Sequence, residues 1–345
     1  MCSVTNASGP DETADAPLWL SEGDVGQLLS LGEAIDVLEN AYRQMAAGAV
    51  PMRRAHAREG DAILHSVGGI LSSVGIAGVK SWIYTPGGAA PLLTLWDVQS
   101  GALLGIVEAF RMGQWRTAGT SGLGTKLLAR DDAAVLAVLG TGKQSIAQAQ
   151  AVAAVREISR VQVFGRDQGR LDAFVDALGA ELGADVTGTT DAAEAMAGAD
   201  VITAITRAAE PFIDASMIPA GAHLNAVGSI VAARSELKAD AVGAADVVVC
   251  DSVPQARDDS GELRAAADAG LLSWDDVLGL DQLVTDPSLG RTSAEQITLF
   301  KALGVGLSDV ALGVELLSRA RDRGLGTELP ATADPHSVPA TPTRS

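Results

Sequence analysis

The chain has few aromatic residues and many more acidic than basic ones. Aromatic side chains are 3% of the 345 residues and hydrophobic ones 47%, which predicts an aliphatic core. Lysine and arginine number 25 against 43 aspartates and glutamates, so the formal net charge is −18. Nucleic acid and anionic membrane are excluded as expected partners because both would be repelled. An anionic ligand therefore needs a local group of cations.

Cysteine is scarce as well, and long apolar runs are absent. Cys2 and Cys250 lie too far apart to suggest a disulfide framework or a metal site. No apolar run has the length of a membrane span, and the first residues lack the pattern of a signal peptide. We therefore expect a cytoplasmic protein without a bound metal.

The most informative stretch reads as a strand, a glycine turn, a helix and a second strand. Ala133–Leu139 is a continuous apolar run typical of a buried parallel strand, and Val161–Phe164 is another. Between them lie a GxGxxS turn and the helix-prone run Ile146–Val155. This order is the context in which such a turn binds a dinucleotide, although a purely structural glycine turn is the alternative.

Each position of the turn has a role in that interpretation. Gly140 permits the tight turn, Gly142 lets the backbone approach a pyrophosphate, and a small Ser145 lets helix and strand pack closely. The helix N-terminus offers free N–H groups and a positive dipole end. The phosphates are also expected to contact the remaining turn residues, Thr141, Lys143 and Gln144.

The second strand ends at residues that bear on the choice of cofactor. NAD sites place an Asp or Glu about 20 residues past the fingerprint, where it accepts hydrogen bonds from the ribose. Here the strand runs into Gly165, Arg166 and Asp167, with Arg170 one helical turn further on. A guanidinium suits a 2′-phosphate, which favours NADP over NAD. Alternatively, Arg166 is a solvated residue at the helix entry and Asp167 accepts from the ribose or caps the helix.

Strands and helices continue to alternate beyond Arg166, which predicts an α/β fold with a Rossmann-type doubly wound parallel sheet over residues 131–307. Ile297–Leu303 and Val310–Arg321 are interpreted as helices. Ligands bind at the carboxyl edge of such a sheet. The predicted strand ends there add further candidate cofactor residues, Thr206, Arg207, Val227 and Ser229.

The preceding part, residues 18–130, predicts a separate α+β domain. Its strands follow one another without intervening helices, which indicates an antiparallel or mixed sheet; they are Ala62–Val67, Val74–Tyr84, Leu92–Trp96 and Leu103–Glu108. Residues 1–17 and 326–345 are polar or rich in proline and are predicted to be disordered.

Three cations in this domain are candidates for binding a substrate carboxylate. Lys80 lies in an apolar strand, Arg116 in a largely uncharged helix, and Arg53 follows a proline and a methionine. A buried cation is costly without an anion, and arginine binds a carboxylate through two hydrogen bonds. A desolvated Lys80 could also donate a proton to a carbonyl or imine. Alternatively, each cation pairs with an internal carboxylate such as Glu108 or Asp97.

Two further side chains complete the predicted substrate site. His65 lies on a strand near these cations, although a lone histidine is more often structural than catalytic. Ser229 ends a strand at the carboxyl edge of the parallel sheet and is counted as a contact of both cofactor and substrate.

A succession of short segments resembles the ornithine cyclodeaminase/mu-crystallin family over nearly the whole folded length. The segments are Glu39-Asn40-Ala41-Tyr42, Val50-Pro51-Met52-Arg53, Val79-Lys80, Asp97-Val98-Gln99-Ser100-Gly101, Gly113-Gln114-Trp115-Arg116-Thr117-Ala118, Gly140-Thr141-Gly142-Lys143-Gln144, Asn225-Ala226-Val227-Gly228-Ser229, Ser235-Glu236-Leu237 and Ile297-Thr298-Leu299-Phe300-Lys301. The resemblance implies a homodimer, with a substrate and dimerisation domain of residues 18–130 plus the C-terminal helix, 308–325. It also implies an active site that faces the nicotinamide.

Carried over position by position, the resemblance places the carboxylate-binding arginines at Arg53 and Arg116, with Arg54 a rival for Arg53, and the catalytic lysine at Lys80. Cyclodeaminases of the family carry an aspartate where this chain has Ile230, which favours the reductase branch. We therefore expect an NAD(P)H-dependent reductase of a small 2-imino or 2-oxo acid. The alternatives are a cyclodeaminase-like lyase with bound NAD, a non-catalytic NADPH-dependent binder of small ligands, and an amino-acid dehydrogenase.

Overall fold

The computed structural model describes residues 16–330. The strands are β1 Leu18–Leu20, β2 Val50–Pro51, β3 Ala55–Glu59, β4 Ala62–Leu71, β5 Ile76–Tyr84, β6 Leu92–Asp97, β7 Leu103–Glu108, β8 Val135–Leu139, β9 Arg160–Phe164, β10 Asp185–Thr189, β11 Val201–Ala204, β12 His223–Ala226, β13 Val247–Cys250, β14 Val277–Gly279, β15 Thr298–Lys301 and β16 Thr327–Glu328. The α-helices are α1 Glu22–Leu28, α2 Leu31–Ala46, α3 Phe110–Leu128, α4 Ser145–Ala153, α5 Gln168–Leu182, α6 Ala192–Met196, α7 Ala239–Gly243, α8 Val253–Asp259, α9 Gly261–Asp268, α10 Leu280–Thr285 and α11 Gly306–Arg323.

The first sheet has the order β16-β1-β7-β6-β5-β4-β2, with β3 also paired to β4. Its strands are antiparallel except for the parallel pair of β1 and β7. The helices α1 and α2 begin at capping boxes of Ser21 with Asp24 and of Ser30 with Glu33. These reciprocal hydrogen bonds satisfy free N–H groups at the helix starts, so the sequence locates both helices well.

The second sheet is wholly parallel, in the order β10-β9-β8-β11-β12-β15-β13-β14. The predicted doubly wound sheet is confirmed. The helix predicted over Ile297–Leu303 is wrong, because Thr298–Lys301 forms β15 between β12 and β13. A central parallel strand is buried on both faces, so its short apolar run lacks the alternation that separates strands from helices.

Helix α11 packs directly on the first sheet because glycines remove the side chains between them. A Cβ on Gly306 would lie 2.2 Å from the backbone N of Gly68 in β4. A Cβ on Gly78 in β5 would lie 2.9 Å from Val310 of the helix. This close contact brings the first turn of α11 beside the middle of β5, where Lys80 lies.

The two ends of the described range, residues 16–330, meet at the edge of this sheet. Thr327 and Glu328, predicted as part of a disordered tail, form β16 and pair with Trp19 and Leu18. The prediction is wrong at these positions because β1 offers an edge whose hydrogen bonds they satisfy. The other residues predicted as disordered, 1–15 and 331–345, lie outside the described range, and the domain boundaries stay predictions.

Candidate active site

A cavity of about 860 Å³ lies between the carboxyl edge of the parallel sheet and the β4, β5 and α3 elements. The side facing the parallel sheet is lined by Gly140, Thr141, Gly142, Lys143, Gln144, Phe164, Gly165, Arg166, Asp167, Arg170, Ile205, Thr206, Arg207, Val227, Gly228 and Ile230. The remaining lining residues are Arg54, His65, Trp82, Tyr84, Arg116, Thr117, Thr120, Asp251, Ala302, Leu303 and Gly304.

The glycine turn is built for close approach. Gly140 has a φ of +122°, and a Cβ there would lie 2.8 Å from the carbonyl oxygen of Ile205, so only glycine fits. Ser145 does not line the cavity; it is buried, and its hydroxyl accepts a hydrogen bond of 3.0 Å from the N–H of Gly142. No side chain caps the start of α4, so its first N–H groups are open to a phosphate.

The end of β9 carries exposed arginines. Arg166 and Arg170 line the cavity, and neither guanidinium has a hydrogen bond or ion pair within residues 16–330. The Asp167 carboxylate accepts a hydrogen bond of 2.9 Å from the N–H of Arg170 and caps α5. Asp167 therefore has the capping role that the sequence left open, and the two guanidinium groups keep their charge available.

An apolar recess of about 360 Å³ adjoins this end of the cavity. The Phe164 and Phe212 rings stand on its wall with their centroids 5.8 Å apart. Arg166 and Thr206 line both the recess and the main cavity, so the two spaces are continuous. A flat heteroaromatic ring fits such a recess.

A buried carboxylate joins the two strand ends beside the turn. Glu236 accepts hydrogen bonds of 2.6 Å from both the N–H and the hydroxyl of Thr206, and one of 2.8 Å from the N–H of Gly228. Burial raises the pKa of this carboxyl. A Cβ on Gly228 would lie 2.3 Å from the carbonyl of Thr206, so only glycine permits the contact.

Ser229, predicted to contact both ligands, does not line the cavity. Its hydroxyl donates to the carbonyl of Arg234 at 2.6 Å, and its own carbonyl accepts from Lys301. Lys301 also pairs at 3.2 Å with the buried Glu262. This network fixes the loop after β12, and Ile230 contributes the side chain that faces the cavity.

At the end of the cavity where substrate was predicted to bind, the structure places Arg54, not Arg53, on the lining. The Arg53 side chain is 89% exposed and pairs with Asp258 at 2.5 Å. Arg54 donates to the carbonyl of Leu303 at 2.6 Å, and its Nε has no partner among the described residues. Burial, followed by the nearby Arg116, lowers the pKa of its guanidinium. Adjacent residues of an extended segment point in opposite directions, and the sequence does not reveal which one points inward.

Lys80 and Arg116 both contact one buried carboxylate, that of Asp309. Asp309 was not among the candidate residues predicted from the sequence. The Lys80 ammonium donates to Asp309, and the Arg116 Nε donates to the same oxygen at 3.2 Å. The alternative of an internal acid partner therefore applies to Lys80 and Arg116, and the acid is Asp309 rather than Glu108 or Asp97. Burial lowers the pKa of Lys80 to about 8. Burial acts to raise the pKa of Asp309, but the attraction of Arg116 and Lys80 outweighs it, so the value is lowered.

Lys80 stands in the wall rather than on the surface of the cavity. Its ammonium lies 5.3 Å from the centroid of the Trp82 ring, which lines the cavity. His65 pairs with Trp82 across β4 and β5 and stacks on it at 4.8 Å. Burial, followed by the charge of Arg54, lowers the pKa of His65, so its ring is held neutral.

A second buried carboxylate, Asp251, lies on the cavity near both arginines. One oxygen accepts from the N–H groups of Leu303 and Gly304, at 2.8 and 2.5 Å. Its other oxygen has no partner in the described part of the chain. Gly304 has a φ of +90°, which favours glycine, and a Cβ there would lie 2.5 Å from the Arg116 guanidinium and displace it.

Comparison with known proteins agrees with this geometry. The model of the ornithine cyclodeaminase/mu-crystallin family matches residues 16–323. The chain belongs to this family. A Delta(1)-pyrroline-2-carboxylate reductase from Bacillus cereus (strain ZK / E33L) is 33% identical over 239 residues, 69% of this chain and 73% of that protein.

Two solved structures of similar fold contain a bound nicotinamide cofactor. The Delta(1)-pyrroline-2-carboxylate reductase of Thermococcus litoralis, in complex with NADH and L-proline, has a TM-score of 0.85 and 26% identity, covering 90% of this chain and 100% of that one. An archaeal alanine dehydrogenase dimer with bound NAD has a TM-score of 0.84 and 26% identity, covering 92% and 99%. The resemblance to the family and to its NAD-binding fold is thereby confirmed.

None of the described helices has the length and apolar character needed to cross a bilayer. Within residues 16–330, no three His, Cys, Asp or Glu side chains lie close enough to hold a metal ion.

Proposed function

We propose that this protein is an NAD(P)H-dependent reductase of a small 2-imino or 2-oxo acid, acting on the C=N bond. The observation that carries the proposal is the cluster of Arg54, Arg116 and Lys80 at one end of a cavity whose other end is a dinucleotide-binding turn. The relatives named above, which act on pyrroline-2-carboxylate or alanine, support the same reaction class.

The charges of the cluster support an anionic substrate. The buried Lys80 and two partly buried arginines, Arg54 and Arg116, face two buried carboxylates, Asp309 and Asp251. At least one positive charge is left over, and a substrate carboxylate would neutralise it. The free nitrogens of Arg54 and Arg116 supply the hydrogen bonds that hold this carboxylate.

The neighbouring side chains suit the rest of the substrate. Trp82, Leu303 and Ile230 give the cavity an apolar wall, which fits a small or cyclic aliphatic body. Ile230 stands where a lyase of this family would carry its aspartate, so the amine of ornithine has no carboxylate partner there.

In this proposal Lys80 is the proton donor, and because it lies in the wall of the cavity it acts through one water that bridges its ammonium to the substrate. The bound nicotinamide supplies a hydride to the substrate carbon. The nitrogen gains the proton when the N–H bond of the Lys80 ammonium breaks, which leaves a neutral lysine to be reprotonated from water. A pKa of about 8 keeps the donor protonated at neutral pH yet close to the working range.

The cofactor we propose is NADP, with NAD as the alternative. The chain is strongly acidic, but Arg166, Arg170, Arg207 and Lys143 line the cavity without an ion pair in the described part of the chain. Such uncompensated guanidinium groups at the end of β9 suit the 2′-phosphate. The uncapped start of α4 suits the pyrophosphate, and the Phe164 recess suits the adenine.

We propose a homodimer as well. Leu64 and Ile83 pair across β4 and β5 on the sheet face opposite Lys80, and they are 51% and 50% exposed. An exposed apolar sheet face of this kind suits a second copy of the chain. Location in the cytoplasm stays a prediction.

NADPH oxidation by the purified protein tests the reductase. The substrates are Δ1-pyrroline-2-carboxylate, and glyoxylate, pyruvate or oxaloacetate, each with and without ammonia or methylamine. We expect turnover with one of the imines and loss of turnover in Lys80→Ala, with NADPH binding retained. Ammonia release from ornithine without net NADH formation would instead identify a lyase. Binding of these acids without turnover would identify a ligand-binding protein.

A further inference from the structure

Asp309 is a buried charged group that the proposed reaction does not otherwise use. It lies in the first turn of α11, its side chain is wholly buried, and its second oxygen has no partner among residues 16–330. A buried aspartate in a helix is costly unless its charge is balanced. Its two charged contacts, Lys80 and Arg116, both belong to the proposed active site.

We propose that Asp309 is a positioning residue for the reaction, which holds the Lys80 ammonium beside the Arg116 guanidinium and keeps Lys80 in its protonated form. The inference rests on the proposed function. Without an anion between them, the two cations would repel each other at short range in a medium of low dielectric constant. With Asp309 in place, a single carboxylate oxygen accepts from both.

The elements around Lys80 supply opposing charges. Helix α11 contributes Asp309, which raises the pKa of Lys80, whereas Arg116 of α3 and Arg54 of the segment before β3 lower it. Trp82 on the same strand presents an aromatic ring. Burial is the largest influence and also lowers the value. Asp309 is therefore the group among these that opposes deprotonation.

The packing of α11 on the first sheet brings the Asp309 carboxylate to Lys80. Asp309 and Lys80 are separated by 229 positions, and the contact depends on the glycine-mediated packing of α11 against β4 and β5. Gly306 and Gly68 touch through their backbones, and Gly78 lies against Val310, the residue after Asp309. A bulkier residue at these positions would move the carboxylate away from the ammonium.

Titration of the lysines tests the proposal directly. The chain has five lysines, so protein labelled with 13C at the lysine Cε gives few NMR signals, and that of Lys80 is assigned by its loss in Lys80→Arg. We expect Lys80 to titrate near pH 8 in the wild-type protein. In Asp309→Asn its titration should move down by about one pH unit or more, because the attractive charge is gone.

Two variants control for a structural effect. Glu315→Gln makes the same change at a half-exposed carboxylate of α11 that pairs with Arg319, and should leave the Lys80 titration unchanged. Arg116→Gln removes a repulsive charge and should move it upward. If Asp309→Asn does not fold, the double variant Asp309→Asn/Arg116→Gln removes both charges, and its Lys80 titration should lie below that of Arg116→Gln alone.

The activity should follow the titration. In Asp309→Asn the pH above which kcat falls should move down with the Lys80 value, and kcat at pH 8 should fall by roughly fivefold or more, because the protonated fraction of Lys80 falls by that factor. An unchanged Lys80 titration in Asp309→Asn, or an unchanged pH profile in a folded and active variant, would overturn the role of Asp309. A wild-type protein that reduces no imine would refute the proposed function. The NMR titration would then still decide whether Asp309 keeps Lys80 in its protonated form.

Discussion

Arg54 donates its closest hydrogen bond to a main-chain carbonyl, that of Leu303 at 2.6 Å, and has no carboxylate partner in the described structure. Its guanidinium is therefore held in place without being neutralised. Arg53, the next residue along the chain, is paired with Asp258 at the surface. Arg53 and Arg54 are adjacent, but only Arg54 has a guanidinium charge that is available to an anionic substrate.

This difference predicts unequal effects of the same substitution. Arg54→Gln should raise KM for a carboxylate-bearing imine by roughly 100-fold, because a buried charge-assisted hydrogen bond to the substrate is lost. Arg53→Gln should change it by less than about threefold, as expected of an exposed ion pair. Steady-state kinetics on both variants measure this. Equal effects, or a larger one at Arg53, would contradict the placement of the carboxylate at Arg54.

The titration of Lys80 predicts the pH profile of the wild-type protein. Lys80 must be protonated to donate, and it loses its proton as the pH rises through about 8. The rate kcat should therefore be level on the acid side of this value and fall about tenfold per pH unit well above it. Lys80→Ala should abolish turnover while NADPH still quenches tryptophan fluorescence. Lys126→Ala, at a partly exposed lysine of α3, is the control and should retain turnover.

The unpaired guanidinium groups near β9 predict the cofactor preference. Arg166→Asp should lower kcat/KM for NADPH by roughly 100-fold and alter that for NADH far less, because the aspartate repels a 2′-phosphate but can accept from a free ribose. Arg160→Asp makes the same charge change at an exposed position at the opposite end of β9. It should leave the ratio of the two cofactors unaltered. A preference that stays with NADPH in Arg166→Asp would mean that the phosphate is bound elsewhere.

The packing of α11 predicts a large loss of stability from one added methyl group. A Cβ at Gly306 would lie 2.2 Å from the backbone N of Gly68, so Gly306→Ala should cost about 3 kcal/mol of unfolding free energy. Gly32 in α2 has no atom within 4 Å of such a Cβ. Gly32→Ala should be neutral or stabilise by about 0.5 kcal/mol. Chemical denaturation compares the two, and an equal stability of both variants would show that α11 can move away from β4.

Local patterns were sufficient for the elements whose signals lie close together in the chain. The turn at Gly140 and the strand that ends at Phe164 were predicted from neighbouring residues. Their determinants are hydrogen bonds and backbone angles within one turn. The motifs also carried the family resemblance, which the comparisons confirmed.

Predictions were less complete where they depended on the direction in which a side chain points or on packing between distant segments of the chain. The sequence preferred Arg53 to Arg54, placed Ser229 on the cavity, and interpreted β15 as a helix. It identified Lys80 and Arg116 as cations in apolar surroundings, but gave no signal for Asp309, which reads as one acidic residue in an amphipathic helix. The alternation of Lys80, Trp82 and Tyr84 on one strand could have indicated that the three share a face.

The sequence by itself determined the dinucleotide turn, the two kinds of sheet and the family, because each depends on the order of neighbouring side chains. Only the tertiary structure decided which arginine faces the cavity, and which carboxylate joins Lys80 to Arg116. The physical reason is that the facing of each arginine depends on the direction in which its residue points from an extended segment, and the carboxylate contact on how closely α11 approaches the sheet. Backbone contacts between glycines far apart in the chain set that distance.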